Sequence, residues 1–399
     1  MNNRWQLPDG VDELLPPMAR RMEHLRREVL DVFHRWGFDL IDPPVIEYLD
    51  SLLVGSGSDL DLQTLKAVDQ RSGRQLGVRA DMTSQAVRID ARRNMNGDTG
   101  ADEVARLCYA GVVVHANPSG VHATRVPIKA GAEIFGAPGL EADAEIVALM
   151  LDVLAHGGIT APVLVLGHMG IYNALVAQAN LGTDERAQLF NAVQLKSEGD
   201  IAQLLPGGQL REQLVSLPSL MGRKEVIAEA RQQLRGAPAS ALEALAQLES
   251  LSDLITQRCP NVDLRFDLAE LAGFGYHNGP IYSAYHQELG RALARGGRYD
   301  GLGELYGAHR SATGFDVNLK PLLGTQQSFV PVRSVWVPFA AANSSDLEQR
   351  DALWREVSAL RADGNRVIVA LSAQQAVPAE CHSECVWSGS SWQLAQRSE

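Results

Sequence analysis

The sequence predicts an α+β protein: an antiparallel sheet flanked by helices, with a helical insertion and a small C-terminal α/β unit. Three observations lead there. Residues 106–136 (RLCYAGVVVHANPSGVHATRVPIKAGAEIFG) set a β-branched run, Val112, Val113 and Val114, against a returning stretch in which Lys129, Gly131 and Glu133 recur at period two. With a loop marked by Asn117, Pro118, Ser119 and Gly120 between them, that is the pattern of a long hairpin with one polar face. Residues 183–257 are dominated by Leu, Ala, Gln, Glu and Arg and broken at Pro206-Gly207-Gly208, Pro218 and Gly236-Ala237-Pro238, the composition of several short helices. Past residue 326, apolar runs at 334–338 and 367–371 bracket a helical stretch at 346–361, a small strand-helix-strand unit.

A chain of 399 residues is long enough for two or three domains, each with a buried core. Its 45% apolar and 21% charged composition is that of ordinary globular proteins. The N-terminus lacks the apolar core of a secretory signal and no apolar run approaches membrane-spanning length, so a cytoplasmic location without a membrane partner is expected. Cys108, Cys259, Cys381 and Cys385 are too few and too scattered for a disulfide framework. Cys381-His382-Ser383-Glu384-Cys385 offers soft ligands, but no second cluster completes a four-ligand set; it reads as a surface loop, and no metal is assigned. A net charge of -12, without a Lys/Arg-rich block, weighs against nucleic acid as a partner.

The elements follow in order. Within residues 12–36, after Pro16-Pro17, Met22, Leu25, Val29, Leu30, Val32 and Phe33 stand among charges at close to helical spacing, and Gly37 ends the amphipathic helix they imply. A short strand closed by Pro44 comes next. Strands around 65–68 and 75–79 flank the turn signal Arg71-Ser72-Gly73-Arg74. Val78-Arg79-Ala80-Asp81-Met82-Thr83 then leads into a helix carrying Ala86, Val87 and Ile89; taken alone, Asp81 reads as its cap. Residues 141–156 are strongly helical and stop at Gly157-Gly158, 163–167 is a buried strand, and 262–325 returns to the sheet after the insertion.

Several of these stretches resemble the motifs of class II histidyl-tRNA synthetases. Arg106-Leu107-x-Tyr109-x-Gly111, followed by Gly131-x-Glu133-x-Phe135-Gly136, is similar to motif 2, and the helix-Gly37-strand-Pro44 segment is similar to motif 1. The segment from Arg79 to Thr83 resembles that family's Leu-Arg-Pro-Glu-Gly-Thr, and Gly296-Gly297-Arg298-Tyr299-Asp300-Gly301-Leu302 matches its Gly-Gly-Arg-Tyr-Asp-Gly-Leu without a change. Phe274-Gly275-Tyr276-His277-Asn278-Gly279 falls at the histidine-specific segment and the stretch from Thr313 to Leu322 at motif 3. The resemblance covers residues 1–325, with 183–257 in the place of the family's insertion, while 326–399 is similar to a truncated anticodon-binding domain. It implies a class II synthetase-like sheet and, through motif 1, a homodimer.

The resemblance also implies a histidine-binding set: Asp81, Thr83, Lys129, Glu133, Tyr276 and His277. Asp81 and Thr83 fall where that family holds the α-amino group, Asp81 being one methylene shorter than the family's Glu. Glu133 falls where a carboxylate meets one imidazole nitrogen, and His277 where a tyrosine hydroxyl meets the other. Such a pair rejects an analogue that leaves buried polar groups unsatisfied. Lys129 replaces a Gln. It is placed either to meet the amino acid's carboxylate or to repel its amine and pair with Glu133 in a structural ion pair. The chemistry for adenylate formation is missing: His115, Ala272 and Pro321 stand at the family's three arginine positions, and Asn117 at its motif 2 Glu. One lost cation typically costs about 3–4 kcal/mol of barrier, so three would remove roughly 9–12 kcal/mol if they added. No catalytic residue and no cofactor are assigned.

Residues 326–399 contain no Lys, and six Arg face eight acidic residues, unlike a tRNA-reading domain. A synthetase core with these losses is similar to the regulatory subunits of short-form ATP phosphoribosyltransferases. That resemblance implies a chain without turnover or tRNA, joined to a short catalytic subunit in a hetero-octamer. It would activate that subunit and convey feedback inhibition by L-histidine at the first step of histidine biosynthesis, a coupling of roughly 1–3 kcal/mol. A functional histidyl-tRNA synthetase or other amino-acid ligase, and a purely structural scaffold without histidine sensing, are the alternatives.

Overall fold

Met22, Leu25, Val29, Val32 and Phe33 form the buried stripe of helix α1 (Met18–Arg35), the expected amphipathic element. The computed structural model describes residues 5–55, 58–97, 100, 103–118, 123–271, 277–287, 290–325 and 334–397. The chain divides into two units, Met1–Gln327 and Ser328–Glu399. After α1 the backbone turns at Gly37, at φ +81°, into the two-residue strand β1 (Asp39–Leu40).

A small antiparallel sheet follows, in the order β2 (Ile46–Tyr48), β4 (Gln75–Val78), β3 (Leu65–Val68), with the short helices α2 (Leu49–Leu52) and α3 (Ser58–Gln63) between β2 and β3. The turn between β3 and β4 is the predicted one. Asp69 accepts from the Arg71 amide at 3.0 Å and from the Ser72 hydroxyl at 2.6 Å, and Gly73 takes φ +72°. Helix α4 (Thr83–Met95) comes next, and Asp81 does not cap it, since Met82 holds the cap position without a side-chain bond.

The hairpin pairs β5 (Ala105–Val112) with β6 (Ile128–Phe135), Tyr109 opposite Gly131 and Leu107 opposite Glu133. β5 starts before the valine run because the fully buried Leu107 and Tyr109 set its register, while Val113 and Val114 lie past its end. Alternation along β6 does the rest. Ala130, Ala132 and Ile134 join the core formed with α1 and α5 (Leu140–His156), and Lys129, Gly131 and Glu133 take the opposite face. Residues Ser119 and Gly120 of the predicted loop lie outside the described residues.

β7 (Val163–His168) and α6 (Met169–Val176) precede the helical insertion: α7 (Thr183–Gln194), α8 (Glu198–Leu204), α9 (Gln209–Ser216), α10 (Glu225–Gln233) and α11 (Ala239–Arg258). Its breaks fall where the Pro and Gly residues are, and one two-residue strand, β8 (Met221–Gly222), escapes the sequence pattern by pairing with β9 (Asp263–Asp267). β10 (Pro280–Tyr285), β11 (Ala292–Arg298), β12 (Ala312–Asn318) and the one-turn α12 (Leu319–Leu322) complete this unit. Among the described residues the main sheet runs β1-β5-β6-β12-β11-β10-β7-β9-β8, antiparallel except at β1/β5 and β7/β9.

Arg298 ties this sheet to α5. Its guanidinium donates to Asp143 at 2.7 and 3.0 Å, to the carbonyls of Ala137 and Gly139 at 3.2 and 3.0 Å, and to Asp300 at 3.2 Å. Asp300 in turn accepts from the Ala312 amide at 2.8 Å, and Gly301 adopts φ +91°. The middle of the seven-residue motif thus has a structural reason for Arg, Asp and Gly.

The second unit is a sheet of order β14-β13-β15-β16: β13 (Ser334–Val337), β14 (Arg366–Val369), β15 (Cys381–Trp387) and β16 (Trp392–Gln396). Helix α14 (Leu347–Ala362) packs Leu353, Val357 and Leu360 against Val335, Val337, Cys385 and Trp392, and the short α13 (Phe339–Ala342) adds Ala342. The expected strands and helix are present. The reading of Cys381–Cys385 as a surface loop is corrected: this is β15, with both cysteines buried, and its ladder with β16 is closed by the Trp387–Trp392 ring pair at 5.4 Å. His382, Ser383 and Glu384 mask the apolar alternation that would have marked the strand.

Asp143→Ala leaves the buried Arg298 guanidinium with only the longer ion pair to Asp300 as counter-charge, and is expected to lower unfolding stability by about 3 kcal/mol, measured as a shift in the urea midpoint. Lys224→Ala, which breaks an ion pair at an exposed site, is the control and should cost under about 1 kcal/mol. Equal losses would show that the Asp143–Arg298 pair does not anchor α5.

Candidate functional site

The polar face of β6 opens into a cleft of about 990 Å³. Glu133 and Lys129 from β6, Gly314 and Asp316 from β12, Arg295 from β11, Ser283 from β10, Thr83 at the start of α4, and His277 all line it. Register explains why. Glu133 faces Gly314 and Gly131 faces Asp316, so residues from distant parts of the chain meet on one side of the sheet.

Glu133 has no solvent exposure. Tyr109 donates its hydroxyl to Oε1 at 2.8 Å, Tyr299 donates to Oε2 at 2.5 Å, and Thr83 Oγ1 lies 3.3 Å from the Tyr109 hydroxyl. Glycines make the space. A Cβ at Gly131 would stand 2.6 Å from the Tyr109 phenol oxygen, and one at Gly314 would overlap Glu133 Oε2. Burial pushes the Glu133 carboxyl up to about 8, against the opposing pull of the Tyr299 and Tyr109 hydrogen bonds.

Of the two alternatives for Lys129, the ion pair with Glu133 is not formed. The Lys129 ammonium donates to Asp316 Oδ2 at 2.9 Å and stands 3.7 Å from Asp81 Oδ1. Burial works against the charge, but Asp316 and Asp81 outweigh it and hold Lys129 above its ordinary range. His277 packs its ring edge against Tyr299 at 6.1 Å, and burial lowers it to about 4. Tyr276, the sixth residue of the expected set, lies outside the described residues, as does Ala272.

His115 and Pro321, at two of the three positions where arginines would be needed, both line the cleft. His115 is buried, with Nε2 3.1 Å from the Ala80 carbonyl. Because a carbonyl only accepts, Nε2 carries the proton and Nδ1 is an acceptor without a hydrogen-bond partner. Burial and the Lys129 charge keep the ring neutral, below its ordinary value. Asn117 donates to the Leu62 carbonyl at 3.3 Å. Lys320, beside Pro321, is held by both oxygens of Asp12 at 2.9 Å. Among the described residues the cleft's arginines are Arg291 and Arg295, both exposed and neither at an expected position.

Thr83, Lys129, Glu133 and His277 therefore share one cleft, with Asp81 touching it through Lys129. Reading the sequence left out Asp316, Tyr109 and Tyr299 as site residues, although all three fall inside the motif segments. Tyr299 had the clearest signal, standing in the unbroken seven-residue match.

Sheet, cleft and insertion together define a class II synthetase-type core. A solved chain from Bacillus halodurans, described as an ATP phosphoribosyltransferase regulatory subunit/histidyl-tRNA synthetase, shares this fold with a TM-score of 0.80 at 24% identity, over 94% of this chain and 95% of that one. Histidyl-tRNA synthetase from Nostoc sp. does so with a TM-score of 0.74 at 18% identity, over 93% of this chain and 87% of that one. The histidyl-tRNA synthetase family profile matches residues 10–322, and that of the ATP phosphoribosyltransferase subunit HisZ C-terminal domain matches residues 335–395. A relative from Pseudomonas syringae pv. tomato, named ATP phosphoribosyltransferase regulatory subunit, is 42% identical over 98% of both chains. One of the same name from Thioalkalivibrio sulfidiphilus is 44% identical over 94% of this chain and 93% of its own. The chain belongs to the histidyl-tRNA synthetase-like family of ATP phosphoribosyltransferase regulatory subunits. No helix among the described residues is long and apolar enough to cross a membrane.

With Glu133 raised from 4.5 to about 8, the folded chain holds a proton that the unfolded chain releases between those values, so stability falls as pH rises through that window. Relative to Glu133→Gln, the wild-type chain is expected to lose on the order of 4–5 kcal/mol across the window, read from urea midpoints at several pH values. A difference that does not change with pH would mean that Glu133 is ionised in the folded state throughout.

Proposed function

We propose that the chain is a non-catalytic regulatory subunit that activates a short-form ATP phosphoribosyltransferase catalytic chain and conveys feedback inhibition by L-histidine. One observation carries this reading: the cleft keeps a buried, tyrosine-held carboxyl, while His115 and Pro321 replace the cations that adenylate chemistry needs. A neutral acceptor such as His115 Nδ1 repels a phosphate or carboxylate oxygen instead of stabilising it. Lys320 and Lys129, the lysines at the cleft, are both bound to carboxylates. A working synthetase or ligase is thereby disfavoured.

Histidine enters this cleft with its ring toward Glu133, which accepts an imidazole N–H, within a set comprising Asp81, Thr83, Lys129, Glu133, Tyr276 and His277. The names of the relatives supply the partner, a catalytic subunit of ATP phosphoribosyltransferase, and a cytoplasmic hetero-octamer is the assembly we infer. A homodimer of the synthetase-like core is supported by the exposed apolar side chains Leu40, Val45, Ile46, Leu65 and Val68 around β1, β2 and β3. The acidic balance of residues 326–399 supports a role without tRNA.

Mixing the chain with a matched short-form catalytic subunit should raise the condensation of ATP with phosphoribosyl pyrophosphate, and histidine should suppress that gain. Glu133→Ala should retain activation but weaken suppression by about tenfold or more in histidine concentration. Activation without suppression would leave a scaffold; histidine-dependent exchange of pyrophosphate into ATP would restore the synthetase reading.

A further inference from the structure

The C-terminal unit ends in an unguarded sheet edge. The three sheets among the described residues have six edge strands. β1 and β8 are two residues long, and β2, β3 and β14 carry Glu47, Lys66 and Arg366. Short length and charge are the usual devices that keep an edge from pairing with another chain. β16, Trp392-Gln393-Leu394-Ala395-Gln396, has neither: five residues without a charge, a Pro or a Gly. Arg397, just past it, is held within the unit by Glu384 at 3.5 Å.

Two hydrogen bonds fix the direction of its free backbone groups. The Ser388 amide donates to the Ser391 carbonyl and the Arg397 amide to the His382 carbonyl, both at 2.9 Å, and both pairs lie on the register that sets Cys385 opposite Leu394. In an antiparallel ladder such hydrogen-bonded pairs recur at every second residue. Gln393 and Ala395 therefore bond to β15, while Trp392, Leu394 and Gln396 turn their N–H and C=O groups away from it. No described strand takes that side. Leu394 shares the sheet face of Cys385, which packs against α14, and it is 45% exposed.

We propose that β16 pairs antiparallel with β16 of a second copy of this chain, about a two-fold axis through Leu394, and so joins two C-terminal sheets into one. That axis sets Trp392 against the second copy's Gln396, and Leu394 against the second copy's Leu394. These are the residues whose backbone groups point outward, so each such pair exchanges both of its hydrogen bonds. The same register brings the two half-exposed Leu394 side chains within about 5 Å of each other and sets Gln393 beside Ala395, with no like charges facing. A neutral strand with a self-complementary register suits a copy of itself, since it asks nothing of its partner that it does not supply. The pairing buries well under the roughly 1,000 Å² of a standing interface, so it is reversible and depends on concentration. It does not depend on what the cleft binds.

The test is sedimentation velocity of the purified full-length chain from about 1 to about 100 µM, the range in which so small an interface associates, for the wild type, Leu394→Lys and Leu394→Pro. The first variant puts two like charges on the axis. The second removes an outward N–H and leaves the bonds to β15, because Pro is tolerated on the free side of an edge strand. At the upper concentration the wild type should have twice the mass of either variant. Leu394→Cys keeps the question open to experiment even if those variants fail to fold. Hydrogen-bonded antiparallel pairs hold their Cα atoms about 5.5 Å apart, within disulfide range, so mild oxidation should link two Leu394→Cys chains and leave Gln393→Cys at the wild-type level. Equal masses in wild type and variants overturn the pairing, since association would then use another surface, and so does a Leu394→Cys link no stronger than that of Gln393→Cys. If the wild-type mass stays constant but a matched catalytic subunit binds the wild type and not Leu394→Lys, the edge takes a strand of that partner, and the second copy is overturned as its occupant.

Discussion

The structure turns on a carboxyl group that water does not reach. Glu133 sits in the middle of the main sheet, and a buried carboxyl is tolerated only where neighbours satisfy both oxygens. The phenols of Tyr109 and Tyr299 do so, and each requires something of its own surroundings. Tyr109 reaches Glu133 across Gly131, which cannot carry a side chain without striking the ring. Tyr299 is held by the turn that follows β11, where Asp300 receives the Ala312 amide and Arg298 locks onto Asp143 at the start of α5. Gly314 leaves room for the carboxyl itself. A run of motif residues spread over the chain is therefore one set of constraints around one group.

Much of this was legible in the sequence, for a local reason. The hairpin, α1, the β3–β4 turn and the insertion all announce themselves within single contiguous stretches, through alternation, helical spacing or Gly and Pro punctuation. β15 did not, because polar residues interrupt its buried cysteines. The site was legible only as far as motif positions go. Thr83, Lys129, Glu133 and His277 do share the cleft, but the partner of Lys129 comes from β12, 187 residues away, and that of Lys320 from Asp12, 308 residues away. Such pairings follow from strand order and register, which periodicity does not supply. The alternative that paired Lys129 with Glu133 failed for the same reason: the two are i and i+4 on a strand, on the same face but about two pleats apart, and Asp316 lies closer across the ladder.

The electrostatics of the cleft differ in kind from those of a phosphoryl-transfer site. Such a site holds free cations at the positions where charge develops. Here Lys320 is bound to Asp12 and Lys129 to Asp316, His115 holds a buried acceptor without a partner, and the cleft's arginines among the described residues, Arg291 and Arg295, are exposed and away from the expected positions. Burial also pushes the Glu133 carboxyl up to about 8, so it adds little negative charge to the cleft at neutral pH.

Catalysis and regulation ask different things of the same frame. An enzyme must bind its transition state more tightly than its substrate, and loses that ability when the charges aimed at the transition state are gone. A regulator needs only to bind an effector differently in two states of an assembly, which a pocket with intact ground-state contacts can do. In the function proposed for this chain, His115 and Pro321 at the arginine positions would remove the first property and leave the second, since Glu133 keeps its bonds to Tyr109 and Tyr299. The buried network that fixes the fold is also the part of the site a regulator requires, so a chain retaining that network as a condition of folding retains a ligand pocket with it.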